Sequence, residues 1–390
     1  MKESRLPKGG TNLFQGIKAK RAEAAGRGIK ILNLSIGQPA GPALKSARVA
    51  AARAVISSQE SMHEYQDNGS PGVPDFAMRF VAGHLRQSVD SEDVDYLPIP
   101  GIKPMLGLIP LACGSELKKI VTTTNPGYPT PRDWCRYLNR QVVEPELNPV
   151  NGFLFEPETL PPGVDLIMTN YPHNPSGAIA TLDWWETLCE YCAERNIRIF
   201  NDAAYAALKY GDDSCLLSEI APNWANLSWA EAFSASKLIG NGTGWRVGAM
   251  VGSPDFIGDI KTIKGNTDSG FVAFAAAGAL TALEQDNIGI QAVVDTYRHR
   301  SSLLCNILSD AGMRRAIEPR AGFFTLWQVP KRAFGVDIKN AMDFNFAMIE
   351  NTGVVGVHFD PYIRYAVASA DVVAIADDIK DAFAKAEVSY

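Results

Sequence analysis

Four times along the chain a short apolar run ends in turn-forming residues and gives way to a helical pattern: KIVTTT before NPGYP, VDLIM before TNYPHNPSG, IRIF before NDAAY and VGAMVG before SPDF. Strands separated by helices cannot pair as tight hairpins, so the alternation demands crossover connections and a mainly parallel sheet covered by helices. The expected class is therefore α/β. LDWWETLCEYCAERN reads as one covering helix, starting after Thr181 as its cap and ending near basic residues. The apolar run Phe271 to Leu283 is too short to cross a bilayer and reads as a buried core helix. From about Ile288 the pattern changes to a long amphipathic stretch through Tyr297 and Leu304, a strand in RAGFFTLWQV and a helix in DIKNAMDFNFAMIENTG. This predicts a large domain over 41–287, a smaller α+β C-terminal domain over 288–390, and an N-terminal segment, 1–40, that joins the small domain.

Composition narrows the function. In 390 residues, 46% are hydrophobic and 21% charged, as in ordinary globular proteins. Lys+Arg 37 against Asp+Glu 43 leaves a net charge of -6 with no basic block, which argues against nucleic acid as a partner. MKESRLPKGGTNLFQG holds no signal-peptide core, so the expectation is a cytoplasmic protein with no membrane partner. Six cysteines in so long a chain make no disulfide framework, and Cys189 with Cys192 lacks a second pair at zinc spacing. The five histidines are scattered without an HExxH, so no metal is expected.

In an open α/β sheet, ligands sit at the carboxyl ends of the strands. Those ends carry Asn174 in NYPHNPSG, Asp202 and Tyr205 in NDAAY, and Ser234, Ser236 and Lys237 in SASK, followed by Arg246 in the glycine-punctuated GNGTGWRVG. Taken singly, an Asn-Pro is usually a turn, an Asp at a strand end a helix cap and a Lys a surface residue. A nicotinamide site would need G-x-G-x-x-G directly after the first strand, and the glycines at 240–248 have neither that spacing nor that position.

In order and spacing, NPSG, DAAY, SASK and GWRVG resemble the class I/II aminotransferases of the fold-type I pyridoxal-phosphate enzymes, most like the LL-diaminopimelate and aspartate-type members. The resemblance runs from LNLSIGQP near Gly37 to YIRYAVA around Arg364. It implies Lys237 as the Schiff-base lysine and proton carrier, with Asp202 facing the pyridine nitrogen to preserve the ring as an electron sink. Asn174 and Tyr205 would hold the ring oxygen and Tyr128 would stack on the ring face. Ser234, Ser236 and Arg246 would hold the phosphate from one side, and Gly101, Ile102 and Lys103, at a helix start, from the other. Tyr65 resembles the tyrosine that reaches the neighbouring subunit's phosphate, implying a homodimer with shared active sites. Arg364 would bind the substrate α-carboxylate as a bidentate pair, with Asn174 and the backbone of Gly37 beside it, Gly37 being equally readable as a simple turn.

The implied reaction is a ping-pong exchange between an amino acid and a 2-oxo acid such as 2-oxoglutarate. Asn266 to Gly270 (NTDSG) resembles a segment from the partner subunit that lines the substrate side, with Asp268 or Ser269 touching the ligand. His173, Asp268, Ser269, Arg320 and His358 are the candidate contacts for the distal side chain, which favours a polar or acidic donor. Three features depart from the family. Lys237 to Arg246 is one residue longer, so the 240–244 turn must bulge; His173 stands at a variable position and is expected to face solvent; and VVGVHFDPYIRYAV is short before Arg364. The same cofactor residues serve β-lyases and decarboxylases. A non-catalytic cofactor-binding regulator is a further alternative, against which stands the lack of a helix-turn-helix or basic segment.

Overall fold

The structure, a computed structural model, describes residues 13–69, 72–89, 93–114 and 119–390. The first twelve residues of the expected N-terminal segment lie outside them. Seven strands form the central sheet: β1 (Asp95–Ile99), β2 (Lys119–Thr122), β3 (Gln141–Val143), β4 (Val164–Thr169), β5 (Arg198–Asp202), β6 (Trp229–Ser234) and β7 (Gly248–Gly252). Their spatial order is β1-β7-β6-β5-β4-β2-β3. All run parallel except β7, which is antiparallel to both its neighbours. The chain therefore leaves β6, turns through the SASK–GWR segment and returns as β7, bringing Arg246 back to the edge that Ser234 has just left.

β4, β5 and β6 are buried almost throughout, which explains their near-continuous apolar runs. The helix Leu182–Arg195 covers the sheet and begins where Thr181 accepts a hydrogen bond from the Trp184 N–H. The apolar run after Phe271 forms the helix Ala273–Gln285, with eight of its residues buried. Cys189 and Cys192 are core residues on a helix rather than ligands, and among the described residues no cluster could hold a metal ion. Among those residues, too, no helix is long and apolar enough to cross a membrane.

Beyond the helix Asn287–Asp310, the strands Phe324–Gln328, Val357–Phe359 and Tyr362–Ala366 make an antiparallel sheet. The N-terminal segment is tied to this part of the chain: Leu32–Asn33 pairs in parallel with Val354–Val355, and Ile17 and Ala24 share a core with Ile349 and Val357.

One buried polar network fixes the relative positions of β4, β5 and β6 just behind their carboxyl ends. Asn201 Nδ2 donates to the Tyr171 carbonyl at 2.9 Å and to Glu231 Oε1 at 2.6 Å, while its Oδ1 accepts from Thr169 Oγ1 and the Tyr171 N–H, both at 2.9 Å. Glu231 also accepts from Leu217 N–H, Ser218 N–H and Ser218 Oγ. Burial pushes its carboxyl up to about 7 although these donors favour the anion. Asn201→Leu keeps the volume but strands the N–H and C=O of Tyr171 and takes one donor from Glu231. At about 1–3 kcal/mol per stranded buried group, a loss of about 3 kcal/mol or more is expected, read as a lower urea midpoint with unchanged slope.

Candidate active site

A cavity of about 760 Å³ opens along the carboxyl edge of the sheet. Three adjacent parallel strands deliver its floor: Asn170 and Asn174 follow β4, Asp202 ends β5, Ser234 ends β6, and Ser236 and Lys237 follow it. Tyr128 approaches from the loop after β2, and Ile102 and Lys103 from the first turn of the helix Ile102–Ala112. Ser35, Gly37, Phe324, Phe359 and Arg364 close the opposite end.

Two ends of different chemistry result. At the first, Ser234 Oγ donates to Ser236 Oγ at 2.9 Å, and the Ser236 N–H donates to Ser234 Oγ at 3.1 Å. Arg246 leans over this pair from the return of the turn, donating to the carbonyls of Thr243 at 2.8 Å and Pro100 at 3.2 Å. Between Lys237 and Arg246 the chain turns through Gly240 at φ +74° and a 3-10 turn over Thr243–Trp245. Gly101 caps the facing helix at φ +79°, where an added Cβ would stand 2.4 Å from a terminal nitrogen of Arg246. Hydroxyls, a guanidinium, an ammonium and a helix start thus converge as an anion cradle.

At the second end Arg364, a residue 4% exposed, donates from Nη1 to Asn174 Oδ1 and from Nη2 to the Ser35 carbonyl, each at 2.9 Å. It lies 4.2 Å from the ring centre of Phe324 and 5.5 Å from that of Phe359. Its buried Nε has no hydrogen-bond partner among the described residues. Burial lowers Arg364 to about 10, with Tyr205 opposing.

Between the ends, Lys237 Nζ donates to the Gly37 carbonyl at 3.3 Å. Burial lowers its ammonium to about 8, Arg246 and Arg364 acting in the same sense and Asp202 against them. Asp202 is pushed by burial up to about 7, against the Ala204 N–H and the charge of Lys237. The amine and the carboxyl therefore sit near neutrality, where a proton moves at small cost.

Twelve of the residues singled out in the sequence line this one cavity, and Gly101 adjoins it through Arg246. Tyr65 does not; its side chain is 77% exposed outside the cavity of its own chain. The expectation that His173 faces solvent is corrected: it is buried, bonded to Ser176 Oγ at 2.7 Å and packed against Tyr171 and Phe153, and burial lowers it to about 4. The other distal contacts are displaced as well. Arg320 pairs with Asp213 and Asp268 with Lys264, His358 bonds Asn345, and neither these nor Ser269 lines the cavity. Asn170 was missed, although its place at the end of VDLIMTN was a signal: its Oδ1 accepts the Asn174 N–H and its Nδ2 donates to the Asp202 carbonyl. Trp134, Phe324 and Phe359 carried no signal beyond ordinary core residues.

A narrow consequence concerns the cradle. Gly101→Ala forces a side chain into a left-handed backbone and against Arg246, so calorimetry with inorganic phosphate is expected to show binding weakened about five- to ten-fold, a change of about 1–1.4 kcal/mol.

A family model described as aminotransferase class I and II matches residues 29–372. The chain is similar to the LL-diaminopimelate aminotransferase of Syntrophobacter fumaroxidans, 27% identical over 368 residues that cover 91% of each chain. It is also 27% identical to that of Methanocaldococcus jannaschii over 372 residues, 93% of this chain and 86% of the relative. In fold it is similar to the aspartate aminotransferase of Rhizobium meliloti, with a TM-score of 0.85 at 19% identity over 99% and 98% of the two chains. Substrate-bound BacF of Bacillus subtilis gives 0.82 at 20% identity, over 99% and 97%.

Proposed function

The chain belongs to the class I and II aminotransferases and is a pyridoxal-phosphate-dependent aminotransferase, and on that premise we propose that Lys237 and Arg364 work its reaction between an amino acid and a 2-oxo acid in a homodimer with shared sites. The observation that carries this reading is that one cavity holds a near-neutral lysine between an anion cradle and a buried arginine. The donor set fits the cofactor: its phosphate would lie among Ser234, Ser236, Arg246, Lys103 and the N–H groups of Gly101 and Ile102. Its ring would lie between Tyr128 and the strand ends, with Asp202 at the nitrogen and Asn174 and Tyr205 at the oxygen. When bound, pyridoxal phosphate supplies an electron sink for charge developing at an amino acid's α-carbon.

The chain's own residues do the rest. Arg364 presents a fork fixed by Asn174, Ser35 and Phe324, so a substrate carboxylate meets donors that need no reorientation. Lys237, whose lowered pKa of about 8 leaves part of its amine neutral near that pH, takes a proton from the α-carbon and returns it on the other limb of the exchange. Asp202, buried at the floor of the same cavity, holds a proton or a charge beside it.

The polar donor rested on distal residues that stand away from this cavity, of which Asp268 and Ser269 keep that role only toward a partner subunit. The name of the relatives makes LL-diaminopimelate the donor to test first, with 2-oxoglutarate as acceptor.

Borohydride reduction of the loaded protein, followed by peptide mapping, is expected to leave the pyridoxyl label on Lys237; a label on another lysine would overturn the assignment. The rate at which the apoprotein captures pyridoxal phosphate should rise with pH up to about 8 and level above it, because only the neutral amine reacts. Arg364→Lys cannot replace the fork. It is expected to raise KM for every donor and acceptor alike, about ten-fold or more on the usual ~1.5–3 kcal/mol of charge-assisted bonds, and an effect confined to one substrate would show that the carboxylate binds elsewhere.

A further inference from the structure

We propose that Lys264 is a positioning residue for the neighbouring subunit's active site, a buried ammonium that locks the Tyr65 loop to the 266–270 segment. The proposal rests on the shared-site reading above and adds the device that holds the shared part in shape.

Lys264 lies near the end of the helix Pro254–Gly265, and its side chain is wholly buried. An ammonium leaves water only where partners replace it. Here Nζ donates to Asp268 Oδ1 at 2.7 Å, four residues on, and to Asn68 Oδ1 at 3.2 Å, almost two hundred residues back. Both partners are themselves fixed. Asp268 Oδ1 also accepts the Gly270 N–H at 2.9 Å, and the N–H groups of Thr267 and Asp268 fold back onto the Lys264 carbonyl. Asn68 Nδ2 donates to the Lys261 carbonyl at 3.0 Å, so its amide grips the helix at two places.

The loop that Asn68 belongs to is braced at its other side by buried Gln66, whose Nε2 donates to the carbonyls of Ser61 at 2.7 Å and Glu64 at 3.0 Å. Tyr65 directly precedes Gln66, with its ring projecting outward. The two segments also touch directly, since a Cβ on Gly270 would come 2.5 Å from the Asp67 nitrogen. A loop that only connects two helices has no use for a buried charge, three side-chain clamps and an outward aromatic ring. A loop that must offer Tyr65 and Ser269 together at a fixed separation uses all of them.

The test is whether the lesion acts across the subunit boundary, which a merely structural residue would not do. Differently tagged subunits give hybrids with one live site. When wild type is paired with a Lys237→Ala, Lys264→Met subunit, the live site receives the altered loops. When Lys264→Met is paired with Lys237→Ala, the live site lies in the altered subunit but receives native loops. Relative to wild type paired with Lys237→Ala, KM for the amino donor should rise about ten-fold in the first hybrid and stay within about two-fold in the second. Asn68→Ala in place of Lys264→Met, which spares the helix its unpaired cavity, should give the same asymmetry. Equal effects in both hybrids, or an effect in the second alone, would overturn the proposal. Tyr65→Phe run through the same two hybrids separates the premises: a trans effect of Tyr65 with a cis effect of Lys264 removes only this inference, whereas cis effects of both remove the shared site itself.

Discussion

The burial of one guanidinium organises this molecule. Arg364 stands in a strand near the carboxyl terminus, yet its hydrogen bonds run to Asn174, at the end of the central sheet, and to Ser35, in the amino-terminal segment. Its hydrogen-bond partners are uncharged, and the aromatic rings of Phe324 and Phe359 stand against it. Such a charge is costly to hold until an anion arrives. The same holds for the cavity as a whole, where Lys103, Lys237, Arg246 and Arg364 face one carboxylate, Asp202. A ligand bearing a phosphate at one end and a carboxylate at the other completes this balance, and two ordinary neutral groups would not.

Behind the cavity, precision comes from the dry side of the sheet. Asp202 and Asn201 are consecutive and point to opposite faces of β5. One therefore lines the cavity while the other is tied to Glu231 and Tyr171. Asn170 completes the bracket by bonding Asp202 and Asn174 at once. A shift of any of the three strands along its axis would have to break this network, so catalytic geometry and core stability draw on the same hydrogen bonds.

The parts of the site legible in the sequence are those built within a few residues of a strand end. Asp202 after IRIF and Lys237 after WAEAFSAS could be placed because an apolar run that stops at a polar residue also marks the edge where ligands bind. The parallel sheet followed from the same alternation, with β7 as the strand whose direction that pattern did not announce. What could not be read were properties decided by chain brought from elsewhere. His173 is buried because the rings of Phe153 and Tyr171 cover it, and Arg320 is drawn to Asp213; neither neighbour is visible from the local motif. Asn170 and Phe324 were hidden differently, since a strand-end amide and a core phenylalanine look alike whether or not a ligand passes by.

The reversal between β6 and β7 also divides the site by the length of chain each half encloses. Ser234, Ser236 and Arg246 meet within a single turn, whereas the bonds of Arg364 close loops of 190 and 329 residues. Closing a loop of about 190 residues rather than one of about a dozen costs roughly 2 kcal/mol more in chain entropy. The Ser234–Arg246 side of the anion cradle is thus local structure, although Arg246 also reaches back to the Pro100 carbonyl, and the Arg364 end of the cavity exists only while the two ends of the chain are docked. Heat or denaturant that frees those ends first would dissolve the Arg364 end of the cavity while the turn from Ser234 to Arg246 still stands.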